Sequence, residues 1–142
     1  MENKESLPRG LRNNNPGNIR ISGTRYMGEV QPSQDRAFKQ FESMAWGYRA
    51  MFVLLYTYQK KNGLNTLREM INRYAPPVEN NTEGYVSRVA KEAGVDADAP
   101  VDTLNAAEMR PVVAAMSAVE NGRAAVLSDV WAGWDLFDRL RP

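Results

Sequence analysis

Residues 12–20 are the segment of this chain best suited to binding a neutral, polar ligand, because they read Arg-Asn-Asn-Asn-Pro-Gly-Asn-Ile-Arg. Asn and Gly tolerate a positive φ and Pro presets a turn, so this composition predicts a fixed, non-helical backbone flanked by amide side chains. Amides donate and accept hydrogen bonds without charge, which suits the hydroxyl and N-acetyl groups of a sugar. The alternative interpretation is an ordinary surface turn.

The composition restricts the chemistry, because the 142 residues include no His and no Cys. Cys-His dyads, Ser-His-Asp triads and zinc sites built on His or Cys are therefore excluded, and with them the cell-wall amidases and endopeptidases of those types. Acid–base chemistry must use carboxylates, Tyr or Lys, and glycosidic cleavage is a common reaction that needs only carboxyl groups. We expect no cofactor and no metal.

The charge pattern argues against a polyanionic partner. The net charge is +1, and the 18 basic residues are interleaved with 17 acidic ones. We therefore do not expect nucleic acid as the primary ligand. The sequence contains no apolar run of membrane-spanning length and no signal-peptide pattern, so we expect no membrane insertion.

Glu120 is the first candidate for a proton donor. It ends a predicted helix, residues 111–120, whose other members are mostly Ala, Val and Met, and Asn121-Gly122 follows it. Burial and the negative end of the helix dipole both disfavour the ionised carboxylate and raise its pKa. A carboxyl group that stays protonated suits a glycosidic leaving group. The alternative is a solvated residue in the last turn before an Asn-Gly cap.

Glu79 is the rival acid, and it lies in a Pro-Pro loop that leads into a helix. Residues 74–82 read Tyr-Ala-Pro-Pro-Val-Glu-Asn-Asn-Thr. A carboxylate near a helix N-terminus has a lowered pKa, which suits a base or an electrostatic stabiliser, so we assign Glu79 a supporting role. Asn80 and Thr82 are predicted to bind substrate. Tyr26, on a strand after Gly23, is the best candidate for a sugar-stacking platform.

The elements that position these residues fall into two groups. Residues 18–22, 26–31 and 36–41 alternate in polarity, which predicts a small antiparallel sheet of two or three strands with a turn at 32–35. The chain after Ser43 is predicted to be helical. The predicted helices cover residues 44–61, the segment from an Asn65 cap to residue 74, and residues 82–93, 111–120 and 128–140. A short helical turn is predicted after 103–105. Residues 1–10 are expected to be a flexible N-terminus and 11–142 one domain of α+β class, mainly α.

Four segments together resemble a family of phage-associated, peptidoglycan-degrading proteins of the lysozyme-like superfamily. They are residues 12–18, Phe38 and Phe41 before the helix around Gly47, residues 74–82, and residues 119–122. The match runs from about Arg9 to Gly122. The resemblance implies a lysozyme-like fold and cleavage of the MurNAc-GlcNAc bond. It also implies that Glu120 is the catalytic acid, because the helix is similar to the one that presents Glu in lytic transglycosylases and glucosaminidases.

The resemblance assigns further roles. Residues 82–86 have the Thr-x-x-Tyr-Val spacing of lytic transglycosylases, which implies that Tyr85 lies over the scissile bond and hydrogen-bonds near the acid; a core Tyr is the alternative. The asparagines of the first segment are expected to bind substrate, namely Asn13, Asn14, Asn15 and Asn18. A single Glu serves as acid and then as base, giving a 1,6-anhydro product.

The order of these segments departs from the usual family order. In most lysozyme-fold glycosidases the catalytic Glu precedes the Asn-rich region, whereas Glu120 follows it. The only acidic residues before the Asn-rich region of this chain are Glu2 and Glu5. We therefore expect a circularly permuted arrangement in which the helix ending at Glu120 packs beside residues 14–18.

Two other functions stay open. One is a hydrolytic muramidase or glucosaminidase, with Glu79 or Asp35 as second carboxylate and water as acceptor. The other is a non-catalytic virion or tail protein that keeps the fold. The expected partners are peptidoglycan glycan strands and other phage virion or tail proteins. We expect synthesis in the bacterial cytoplasm and access to the wall by holin-type release or as a virion component.

Overall fold

The computed structural model describes residues 6–142, and its regular elements in that part of the chain are six α-helices with no β-strand. In chain order they are α1 Arg9–Arg12, α2 Met44–Asn62, α3 Leu67–Tyr74, α4 Thr82–Ala93, α5 Ala106–Asn121 and α6 Leu127–Arg139. Of the expected flexible N-terminus, residues 1–5 lie outside the described residues, and α1 begins at Arg9.

Local signals explain where several of the described helices begin and end. Ser43 accepts a hydrogen bond from the amide of Trp46 at the start of α2, and Asn81 accepts one from the amide of Gly84 at the start of α4. Left-handed glycines then end three helices, namely Gly63 after α2, Gly94 after α4 and Gly122 after α5. The predicted helices at 44–61, 82–93 and 128–140 are confirmed to within one residue at each end.

Two helix starts differ from the prediction. α3 is capped by Thr66, not Asn65, because Thr66 and Glu69 form a reciprocal capping box. α5 begins at Ala106 and carries Pro111 inside it. The side chain of Asn105 accepts hydrogen bonds from the amides of Ala107 and Glu108, and this cap starts the helix five residues before the proline.

The expected α+β, lysozyme-like fold with a small antiparallel sheet is wrong, as is its permuted form: the described chain is all-helical. Between α1 and α2 the backbone makes two isolated antiparallel bridges, Arg20 with Phe38 and Glu29 with Phe41. No run of consecutive bridges joins residues 18–22, 26–31 and 36–41 into strands in the described chain.

Side-chain acceptors explain why this segment does not form a sheet. The amide of Ile19 donates to Asn15 Oδ1, the amide of Tyr26 to a Glu29 carboxylate oxygen, and the amide of Ala37 to Asp35 Oδ1. Each bond removes a backbone donor that a ladder would need. A positive φ at Asn18 and at Gly28 also interrupts the extended path.

The core is built around α2. α6 lies along α2, and a Cβ on Gly133 would be only 3.0 Å from the carbonyl oxygen of Ala45, so the two helices approach closely. Phe52 and Trp134 pack edge to face with their ring centres 5.0 Å apart. α5 packs against α4, which brings the last turn of α5 beside one face of α4.

Candidate active site

Asn13, Asn14 and Asn15 shape the loop that enters the site. The Asn15 side chain is fully buried, and its amide donates to the carbonyls of Ile19 (3.0 Å) and Lys39 (2.9 Å). The Asn14 amide donates to the carbonyl of Phe41, and Asn13 donates to Asp35, both at 3.1 Å. These donors are used within the protein, so the three residues hold the backbone path of the loop.

Asn18 ends this loop and reaches the candidate acid. Its φ of 50° lies in the left-handed region, which Asn tolerates better than most residues. Its Nδ2 donates to Oε1 of Glu120 at 3.0 Å, across 102 positions of sequence. Next to it, the carbonyl of Gly17 accepts a hydrogen bond from the hydroxyl of Tyr74 at the end of α3. The structure therefore brings the Asn-rich loop to the C-terminal end of α5.

Glu120 is half-buried in the last turn of α5 and is held on both carboxylate oxygens. Oε1 accepts from Asn18, and Oε2 accepts from the hydroxyl of Tyr85 on α4 at 3.0 Å. Desolvation by burial raises the pKa of this carboxyl above its ordinary value, and the two hydrogen bonds offset part of that rise by favouring the ionised form. Burial and the two donors therefore act in opposite directions on the pKa of this carboxyl.

The two nearest phenols stay protonated. Burial raises the pKa of Tyr85 well above the ordinary value, and the nearby Tyr74 and Glu120 add to this rise. Burial also raises the pKa of Tyr74. Both side chains therefore act as hydroxyl donors, and neither can serve as a general base at physiological pH.

A polar groove of about 420 Å³ opens beside Glu120. Its lining includes Asn18, Arg20, Ser22, Thr24, Tyr26, Phe38, Tyr58, Tyr74, Glu79, Asn80 and Glu120. A second cavity of about 430 Å³ lies on the side of α4, lined by Asn80, Asn81, Gly84, Tyr85, Arg88, Val119 and Glu120. Glu120 and Asn80 belong to both linings. The carboxyl thus stands where the two cavities adjoin.

Of the other predicted site residues, some line the groove and others lie outside it. Glu79 and Asn80 line the groove on the exposed loop before α4, and Asn80 donates to the carbonyl of Pro76 at 3.2 Å. Thr82 is buried, donates to the carbonyl of Ala75, and lies outside both linings. Tyr26 lines the groove but is only 8% exposed, and burial raises its pKa to about 12. With so little of the residue exposed and the Lys39 ammonium 5.6 Å from its ring centre, Tyr26 does not present an open face for sugar stacking.

Asp35, the other suggested second carboxylate, already binds several donors outside the groove. Its oxygens accept from Arg9 at 2.6 and 2.7 Å, from Asn13, and from the amides of Ala37 and Phe38. The Arg9 guanidinium is the largest cause that lowers the pKa of Asp35. Asp35 lies outside both cavity linings and organises the turn before Phe38.

Sequence reasoning missed several groove residues. Tyr58, Tyr74 and Arg20 line the groove, and none was among the predicted site residues. The signal for Arg20 was present, because polar residues occupy every second position from 18 to 24, but we used that alternation only to predict a strand. Tyr58 and Tyr74 come from α2 and α3, and their spacing is also what a core would require.

No family model matches the sequence. Protein P5 of Pseudoalteromonas phage PM2 is 38% identical to this chain over 117 residues, which cover 80% of this chain and 71% of P5. The chain belongs to the P5 family. Membership of the P5 family supports a phage origin, whereas the name P5 states no activity. Along residues 6–142 of this P5-family protein, no helix combines the length and hydropathy needed to cross a membrane.

Proposed function

We propose that this protein cleaves the glycan strand of peptidoglycan at the MurNAc-GlcNAc bond, with Glu120 as its single acid and base. One observation carries the proposal: a half-buried carboxyl with a raised pKa lies at the junction of two cavities, held by an amide and a phenol. A protonated carboxyl in a polar groove is what departure of a sugar oxygen requires.

The first chemical step is protonation of the leaving group. The Glu120 carboxylic acid gives its proton to the glycosidic oxygen, the bond between that oxygen and C1 of MurNAc breaks, and an oxocarbenium-like centre develops at C1. Asn18 and Tyr85 then stabilise the carboxylate that remains, because both can donate to it.

The second step closes the ring and restores the acid. The Glu120 carboxylate takes the proton of the MurNAc 6-hydroxyl while that oxygen bonds to C1, which gives a 1,6-anhydro end. The atoms balance without water, so one carboxyl suffices.

Asn18 can follow the change in protonation. Its Oδ1 is buried and has no hydrogen-bond partner in residues 6–142. If the amide turns over, Oδ1 can accept from the carboxylic acid form of Glu120, whereas the orientation in the structure donates to the carboxylate. The site therefore offers a partner for Glu120 before and after proton transfer.

The two adjoining cavities support cleavage within a strand. A glycan that lies through both would place sugars on either side of Glu120, with Asn80 at the same junction. Such a strand would be cut internally, and it would not need to enter by its end.

The test combines wall clearing with product analysis. Purified protein is added to peptidoglycan sacculi, turbidity is followed, and the released muropeptides are identified by mass spectrometry. Anhydro ends, which lack one water relative to reducing ends, are expected. Clearing with reducing ends instead indicates hydrolysis. Intact sacculi at all protein concentrations refute a lytic activity.

Hydrolysis is the second enzymatic candidate, and the position of Glu79 favours it. Glu79 lines the same groove as Glu120, so it can act as the second carboxylate that activates water. Asp35 is less suited to this role, because Arg9 and backbone amides already occupy its oxygens.

A non-catalytic virion or tail protein is the candidate that the comparison favours, since P5 is a phage protein whose name states no activity. This function predicts no muropeptide release by wild-type protein and co-purification of the chain with phage particles. For the lytic function, we propose that the protein reaches the wall either within the virion or by release from the host cytoplasm.

A further inference from the structure

One wall of the groove carries a row of polar side chains. Asn18, Arg20, Ser22 and Thr24 all line the groove and occupy alternate positions. The backbone is tied to the segment before α2 by the Arg20–Phe38 bridge and by hydrogen bonds from Ile21 to Ala37 (3.0 Å) and from Lys39 to Ile19 (2.9 Å). Asn18 itself is left-handed, but the backbone that follows it is extended at the Arg20–Phe38 bridge. Alternate residues of an extended backbone face the same side and advance about 6.6 Å per pair. Arg20 is therefore the next polar residue of this wall after Asn18.

The Arg20 guanidinium is the uncompensated cation of this wall. Its central carbon lies 5.2 Å from the centre of the Phe38 ring, which holds the side chain along the wall. Arg9 also approaches Phe38, at 4.7 Å, but its charge is paired with Asp35. Across residues 6–142 no carboxylate lies within ion-pair distance of Arg20.

We propose that Arg20 binds a carboxylate on the substituent of the sugar next to the scissile bond. This inference rests on the proposed function and names the feature of the glycan that the site selects. A guanidinium fork matches a carboxylate with two parallel hydrogen bonds, and stacking on an aromatic ring presets its plane. The neighbouring hydroxyls of Ser22 and Thr24 extend the same wall toward polar groups of the substituent.

Two sources can supply this carboxylate. A glycan without peptides has a free lactyl carboxylate on each MurNAc. A glycan with peptides has that carboxyl group in an amide, and its free carboxylates are in the peptide. Both present the same chemistry to Arg20, whereas a neutral oligomer of N-acetylglucosamine presents neither.

The test measures dissociation constants by calorimetry for three soluble tetrasaccharides: peptide-free, peptide-bearing, and neutral. Proteins carry Glu120→Gln so that the ligand is not consumed. We expect Arg20→Gln to weaken binding of a carboxylate-bearing ligand about 10- to 100-fold, and the neutral one less than about twofold. Arg20→Lys should recover part of the loss, since it keeps charge without the fork. Arg36→Gln, an exposed arginine outside the groove lining, is the matched control.

The pattern of loss identifies the source. Loss confined to the peptide-free ligand assigns the lactyl carboxylate, and loss confined to the peptide-bearing ligand assigns a peptide carboxylate. Equal loss on all three ligands, or no loss on any, overturns the inference. If the wild-type protein cleaves cell wall and Arg20→Gln cleaves it equally fast, the inference about Arg20 is overturned while the proposed function stands. Arg20-dependent binding without any cleavage refutes the lytic function but leaves carboxylate binding by Arg20 standing.

Discussion

Replacement of Glu120 by Gln tests the central role with little change in shape. Gln keeps the side-chain volume and one carbonyl oxygen that can accept from Asn18 or Tyr85, but it has no transferable proton. If Glu120 is the general acid, the rate of wall cleavage should fall by about 10²–10⁴-fold. That range corresponds to about 3–5 kcal/mol of transition-state stabilisation.

The same variant should change stability in a pH-dependent way. The unfolded chain ionises Glu120 near its ordinary pKa of 4.5, whereas burial raises the pKa in the folded protein. The unfolding free energy of wild type relative to Glu120→Gln should therefore be highest below pH 4.5. It should decline as the pH rises through the raised pKa and stay constant above it. Glu120→Gln is accordingly expected to fold well at neutral pH.

The assay compares initial rates of muropeptide release at equal folded fraction, verified by circular dichroism and by urea unfolding at several pH values. Glu42→Gln, an exposed Glu outside both cavity linings, is the matched control and should match wild type. A folded Glu120→Gln protein with wild-type rates would refute the assignment of the acid. A relative stability that rises with pH would refute the raised pKa.

Three other perturbations test the surroundings of the acid. Tyr85→Phe removes a donor that favours the Glu120 carboxylate, so the pKa of Glu120 should rise further. The alkaline limb of the pH profile for kcat/KM should therefore move to higher pH, with a rate loss of about 10-fold. An unchanged limb contradicts the contact. Glu79→Gln should cost less than Glu120→Gln, because a single acid serves both steps, and complete loss would favour hydrolysis. Gly10→Ala places a methyl group within 2.8 Å of two Asn oxygens and a backbone carbonyl, so thermal or urea unfolding should report a loss of about 1–3 kcal/mol. Gly23→Ala, with open space around its Cβ, should stay near wild type in the same experiment.

The sequence predicted the helices well because their signals are local. Ser43 lies within three residues of the amide that it caps, and Gly94 ends α4 through its own left-handed φ. Glu120 was chosen from a local pattern together with the family resemblance, and the local pattern is an apolar helix that ends in Glu, which implies a partly desolvated carboxyl. The raised pKa follows from the same burial.

The missing sheet shows where local patterns fail. Alternating polarity over residues 18–41 predicts strands, but the backbone amides there are taken by Asn15, Glu29 and Asp35 side chains. Alternation in polarity does not reveal which acceptor a given amide will find. The alternation instead places Arg20 and its polar neighbours along one wall of the groove.

The family resemblance implied that Tyr85 and residues 14–18 lie near Glu120, whereas only the tertiary structure decided which atoms meet. Asn18 lies 102 positions before it and Tyr85 lies 35 positions before it, yet each donates to one carboxylate oxygen at 3.0 Å. The packing of α4 on α5 and the buried hydrogen bonds of Asn15 set these distances. The sequence by itself determined which side chains can carry acid chemistry, whereas packing between distant segments determined which of them meet.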